Sequence, residues 1–204
     1  MIYSQHSKSA LSIAYFLILA LVVFTHQKGH AKEKTDEIAT KVAALELGIN
    51  GYTIGTKLSA EKKEYSSAHM LYDAYEGTYK FSDGEVNVVV SKEDDTILAL
   101  YQSNKKAGIE QARRMISGLM GLYGEPTAMA HDTLVYWAYN EKGKIAEEKY
   151  NELRKDAKKL DVLATVKFNS TFSITDETVS EQHQGTIYFI ISSDRLSEGF
   201  MGNN

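Results

Sequence analysis

Chemistry in this chain would have to come from few residues: six histidines, one acidic turn, two glycines near a helix end, and a strand holding the only tryptophan. Beyond residue 31 the histidines are His69, His131 and His183. A metal site needs converging imidazole and carboxylate ligands, commonly announced by two ligands one helical turn apart, as in HExxH. None of the three has such a neighbour and each falls in or beside an expected loop, so no metal site is expected. Glu93-Asp94-Asp95 has the charge to attract a cation but lacks the alternating oxygens and central glycine of a calcium loop, and a solvated turn between strands accounts for it. No GxSxG elbow occurs, and no glycine-rich phosphate loop follows a strand. Gly118 and Gly121 close a helix instead of opening one, so they do not form a phosphate cradle. Asn169-Ser-Thr171 matches a glycosylation sequon by pattern alone. No catalytic residue, no cofactor and no enzymatic activity are therefore expected.

The most informative side chains are aromatic. Tyr136, Trp137 and Tyr139 share one strand, and Tyr72, Tyr75, Tyr79 and Phe81 share another strand. A period of two sends Trp137 and Tyr139 to one face and Tyr136 to the other. One face must pack on a helix. The other is available as a ligand- or partner-binding surface, a role Trp and Tyr often fill, with core and cross-strand packing as the alternative. Tyr136, Trp137 and Tyr139 are thus the expected partner-binding residues.

The element that must position them precedes them. Ile109, Ala112, Ile116, Leu119 and Tyr123, with Met115 and Met120, recur at three- and four-residue spacing, one face of a helix. Gly124 suits its end, and Pro126, the only proline, cannot continue it. Upstream, Tyr75, Gly77, Tyr79 and Phe81 alternate with polar residues, Asp83-Gly84 signals a type I′ hairpin, and Val86, Val88 and Val90 mark the next strand. Thr96–Gln102 is a third strand, completing an antiparallel meander. Gly118 and Gly121 imply either close backbone approach or tolerated glycines near a fraying end. Lys32–Leu47 is helix-compatible or a spacer, Gly48–Leu58 a short strand and turn, and Ser59 a cap for a brief helix. After the aromatic strand come a charged helix over Ile145–Leu160, a strand over Val162–Thr175, and a polar loop over Asp176–Gln184. Gly185–Ser193, the most apolar strand, is placed mid-sheet because such a run is aggregation-prone at an edge. Together these predict an α+β domain over residues 48–196, with an antiparallel sheet of about five to seven strands and helices on one face, then a polar tail over residues 197–204.

The N-terminus carries an address. Leu11–Phe24 is a 14-residue apolar run, within the length of a signal-peptide core and short of a typical membrane span. Gly29 and Ala31 provide small residues for cleavage before Lys32; an uncleaved inner-membrane anchor is the alternative. With no cysteine, neither disulfides nor lipid acylation at a mature cysteine is available. Taking Lys8 and Lys28 from the 23 basic residues leaves 21 against 27 acidic ones, a net charge of −6, which disfavours nucleic acid or an anionic membrane as partner.

The order helix, Leu119-Met-Gly-Leu-Tyr-Gly-Glu-Pro-Thr127, then Tyr136-Trp-Ala-Tyr139, resembles small envelope domains of the SmpA/OmlA outer-membrane-assembly type and the tandem-repeat β-lactamase-inhibitor proteins, in which a helix ends at Gly-x-Pro before an aromatic strand. The segment Gly51-Tyr-Thr-Ile-Gly-Thr-Lys-Leu58 is similar to their glycine-bearing loop. This chain has no lipobox cysteine and inserts a charged helix before its next strand. The resemblance implies a non-enzymatic scaffold that binds protein partners. The resulting expectation is a non-catalytic, exported bacterial envelope or periplasmic protein with a protein partner; the alternative is a small-molecule-binding or sensor module with a pocket between helix and sheet.

Overall fold

The computed structural model describes residues 35–156, 160–175 and 183–198. The expected signal or anchor of residues 1–31, most of the loop 176–184 and the end of the tail lie outside them. From Ile38 onward the described residues form one unit. The helix α1 (35–43) carries Ala39 and Val42 into its core, so the stretch read as helix or spacer is helical over 35–43 and packed there. β1 (Gly48–Ile49) and β2 (Tyr52–Thr53) make a small separate ribbon. Ser59 caps α2 (Ala60–Ala68), its hydroxyl accepting from the Lys62 N–H.

β3 (Met70–Leu71), β4 (Thr78–Asp83), β5 (Val86–Ser91) and β6 (Ile97–Gly108) are successive antiparallel strands, and the last three are the expected meander. The hairpin turn differs from expectation. Asp83 pairs with Val86, so Gly84 and Glu85 form the turn, and of these only Gly84 has positive φ, 59°. Positive φ at the first central residue alone is type II′, not I′. The strand start also moves: Tyr75 and Gly77 belong to a loop, and pairing begins at Thr78.

α3 (Ile109–Tyr123) buries Ile109, Ala112 and Leu119, and Gly124 (φ 71°) ends it, its N–H reaching the Met120 carbonyl at 2.8 Å. A Cβ at Gly118 or Gly121 would meet nothing within 4 Å, so these are tolerated glycines and not points of close approach. β7 (Ala128–Ala130), β8 (Leu134–Asn140) and β9 (Gly143–Lys144) follow. The charged helix is shorter than expected: α4 spans Glu147–Arg154 and buries none of its residues. Ile145 stays outside it because it is buried and its N–H is taken by the Ala138 carbonyl. β10 (Ala164–Ser170), β11 (Gln184–Ser192) and the one-turn α5 (Asp194–Ser197) complete the chain.

The main sheet runs β3-β4-β5-β6-β11-β10-β8-β7, with β9 on β8. It has nine strands, all antiparallel, so the fold is α+β as expected but the count of five to seven is too low. The additional members, β3, β7 and β9, are two or three residues long, too short to carry a readable alternation. β11 sits between β6 and β10 and joins the N-terminal meander to the C-terminal strands. Its Ile187, Phe189 and Ile191 are buried on the face that also holds Phe81, Val88, Leu100, Val166, Phe168 and Trp137. On this face Tyr123 of α3 meets Trp137 and Phe189, ring centroids 6.0 and 6.5 Å away. Among the described residues no helix is long and apolar enough to cross a membrane.

Candidate functional site

The expected partner-binding residues separate by strand alternation. Trp137 pairs with Val166 and Tyr139 with Ala164, so both point into the core; Trp137 is 0% exposed and Tyr139 9%. The Trp137 Nε1–H donates to the Gly124 carbonyl at 2.8 Å, tying β8 to the end of α3. Lys144 reinforces the junction by donating to the Tyr123 and Glu125 carbonyls, both at 2.9 Å, a cation placed where helix-end oxygens lack partners. Tyr136 points the other way, half-buried against Tyr150 of α4 at 5.9 Å. Burial, then the nearby Tyr150 and Asp194, pushes its hydroxyl up to about 12. Burial alone would strand an unbonded tryptophan N–H; here the bond to Gly124 satisfies it. Trp137 therefore offers no surface to a partner in this structure, and Tyr139 almost none.

The acidic turn is occupied internally. Asp94 takes the Thr96 hydroxyl at 2.5 Å and the Lys57 ammonium at 3.7 Å, while Asp95 takes the Tyr79 hydroxyl at 2.9 Å and Lys63 at 2.5 Å. His131 lies in a positive-φ turn (φ 53°), and His183 meets the edge of Phe172 at 5.6 Å. Among the described residues no group of three His, Cys, Asp or Glu side chains could hold a metal ion.

What the structure exposes instead is the far edge of the sheet. Met70, Tyr72 and Tyr75 are 48%, 104% and 67% exposed, and Tyr65 beside them 36%. They lie along the end of α2, β3 and the loop 72–77. That loop is fastened at several points. Asp73 Oδ1 lies 2.6 Å from the nearly buried Lys80 Nζ, the Tyr75 carbonyl accepts both the N–H and the hydroxyl of Thr78, and the Gly77 carbonyl accepts from Lys92 N–H. On the other side, the His69 ring stacks on Tyr65 with centroids 3.9 Å apart, while its Nδ1 donates to the Tyr65 carbonyl at 2.8 Å. Grouping Tyr72 and Tyr75 with Tyr79 and Phe81 hid this division. Gly77, a glycine inside the alternating run between Tyr75 and Tyr79, is the available signal, and its φ is 74°.

The Asp73–Lys80 pair sets a pH window for this edge. Its hydrogen bond from Lys80 holds the Asp73 carboxyl below the usual carboxylate range. Burial opposes the Lys80 charge, yet hydrogen bonds with Asp73 and Tyr101 outweigh it and hold the ammonium above the usual lysine range. A depressed acid contributes stability above its unfolded pKa and loses it as pH falls through the folded value; a raised base loses its contribution as pH rises through the folded value. The tyrosine loop is thus expected to stay fastened through neutrality and to loosen below the ordinary carboxylate range. Protection factors of the Thr78 and Lys92 amides, which donate to the Tyr75 and Gly77 carbonyls, compared between neutral and acidic buffer, check this. Asp73→Asn should show fast exchange already at neutral pH.

No protein family, no curated protein and no solved structure matches the chain.

Proposed function

We propose that this is a non-catalytic, exported envelope protein that binds a protein partner through Met70, Tyr72 and Tyr75. The observation that carries the reading is their exposure on a fastened edge. Large apolar and aromatic side chains left in water beside a well-packed sheet mark interaction sites, and tyrosine is a favoured anchor because it presents much area at small entropic cost. β3 is only two residues long, which limits how far a partner strand could extend the sheet, so side chains carry the recognition. α2 backs this edge, with Tyr65 meeting the Phe81 ring of β4 at 6.4 Å between centroids, and a packed edge binds at less cost than a floppy one, whose ordering would consume binding energy. The likeness to SmpA/OmlA-type domains supports a scaffold role, and the apolar run 11–24 supports export.

The test is site-specific photo-crosslinking in the native envelope, with the photoreactive residue at position 72 and, as control, at the exposed Asn169 on β10. One discrete protein adduct is expected from position 72 and none from 169. Met70→Lys combined with Tyr72→Asp should reduce partner recovery by about tenfold or more, on the scale of anchor residues, while surface changes of this kind alter stability by no more than about 0.5 kcal/mol. Equal adducts at both positions, or full recovery with the double variant, rejects the edge as the binding site.

A further inference from the structure

A second site lies away from that edge, and the alternation of β6 points to it. Leu98 and Leu100 face the core, and Leu100 pairs with Ile191. The next position on this face is Gln102, paired with Phe189, and Asn104 follows, paired with Ile187. Two half-buried carboxamides thus continue the apolar face at the place where α3 begins to cover it. Nothing in core packing asks for them, because a carboxamide removed from water costs free energy unless it is hydrogen-bonded. Asn104 uses its oxygen locally, accepting from the Lys106 N–H at 3.0 Å, whereas the Gln102 carboxamide has no hydrogen bond among the described residues. Both open onto a cleft of about 860 Å³ between α3, the β4–β5 turn and the middle of β6 and β11.

Exposure orders the cleft by depth. Phe189 and Ile187 form a buried apolar floor, with Met115 and Gln102 half-buried on the walls. Gln111, Arg114 and Lys105 stand exposed at the rim. Arg113, the neighbour of Arg114, is used structurally: it lies 3.6 Å from Glu110 and donates to the Ile174 carbonyl at 3.4 Å. Arg114 makes no ion pair among the described residues and lines the cleft. With Glu85 as the one opposing carboxylate in the lining, the rim reverses the sign of a chain whose net charge is −4. Only Phe189, Ile187 and Met115 are apolar in a lining that is otherwise mostly polar, and a cleft of this volume accommodates a small polar molecule with a short apolar body.

We propose that this cleft binds a small organic carboxylate, with its apolar body on Phe189 and Met115, its carboxylate at Arg114 and Lys105, and its polar edge on the Gln102 carboxamide. The carboxylate is chosen over a larger polyanion because Glu85 repels multiple charge and the floor asks for an apolar body. Rim charges act in high dielectric, so each contributes modestly, and the discrimination is expected to be severalfold per cation.

The experiment is a nitrogen-edited NMR titration of the full chain with octanoate and phenylpropionate, each against its uncharged primary amide. The expected result is saturable perturbation of the Gln102 and Gln111 side-chain amides by at least one carboxylate. Its amide analogue should bind at least about fivefold more weakly, and Arg114→Gln should weaken the carboxylate severalfold while leaving the amide unchanged, the remaining preference for the acid resting on Lys105. Arg114 is on the surface, so this variant folds normally. Absence of perturbation with both carboxylates near millimolar concentration, perturbation mapping outside the cleft, or equal binding of acid and amide overturns the proposal. The Met70→Lys, Tyr72→Asp variant should titrate like wild type, so this outcome is read separately from that of the partner-binding edge.

Discussion

Replacing Trp137 with alanine is expected to remove about 3–5 kcal/mol of stability, the cost of a large aromatic cavity that the surrounding strands can close only in part. The side chain is fully buried, pairs across to Val166 and meets Tyr123 of α3. Its loss also strips the Gly124 carbonyl of its N–H donor, about 1 kcal/mol more where water cannot replace it. Domains of this kind have only about 5–15 kcal/mol in total, so the variant should unfold at much lower denaturant or accumulate poorly. Trp137→Phe separates the two contributions. It keeps most of the volume and loses the donor, so its cost should be about 1–2 kcal/mol. Urea unfolding followed by far-ultraviolet circular dichroism measures both, since these variants lack the only tryptophan fluorophore. A Trp137→Ala protein as stable as wild type would mean that the indole is not in the core, and would return the aromatic strand to candidacy as a binding surface.

Gly55→Ala is the second large effect. Gly55 has φ 81°, and a Cβ there would fall 2.6 Å from the Ala39 carbonyl oxygen, 2.7 Å from the Ala43 nitrogen and 3.1 Å from the Val42 Cβ. Two of these are backbone atoms of α1, which cannot rotate away as a flexible side chain would. The positive φ alone costs about 1–2 kcal/mol for an L-residue, and pushing α1 off the core adds a packing loss of roughly 1–3 kcal/mol. The Gly55 N–H donates to the Ile97 carbonyl at 2.8 Å, so the residue cannot move away without breaking its link to β6. Gly84→Ala serves as the control. It also has positive φ but nothing within 4 Å, so only the conformational cost of about 1–2 kcal/mol remains. Comparing the two melting curves isolates the contact with α1. Equal losses would show that α1 does not rest on Gly55.

Much of the local structure was legible in the residues themselves. The stripe Ile109, Ala112, Leu119 and the stop at Gly124 are written in spacing and in one glycine, and α3 ends where they say. The meander was legible from alternation, although the hairpin moved one residue, because Asp83-Gly84 suits a type I′ turn and Gly84-Glu85 a type II′ turn, and pairing register alone decides between them. The candidate site was much less legible. Tyr72, Tyr75, Tyr79 and Phe81 are chemically alike, and whether each is core or surface depends on where the strand begins. Gln102 is an ordinary strand residue by its local sequence, and only its pairing with Phe189 sets it in an apolar face.

By itself the sequence determined the helix α3, the strand periodicities, the absence of recognisable catalytic spacing, and a last strand too apolar for an edge. These are local properties, set by backbone preference and by the repeat of 3.6 or two residues. Only the tertiary structure decided that β11 enters between β6 and β10, that Trp137 turns inward to hold Gly124, and that Met70, Tyr72 and Tyr75 are left in water. Those outcomes depend on which distant segments bury one another's faces, and pairing between strands far apart in the chain leaves no mark in the spacing of either one.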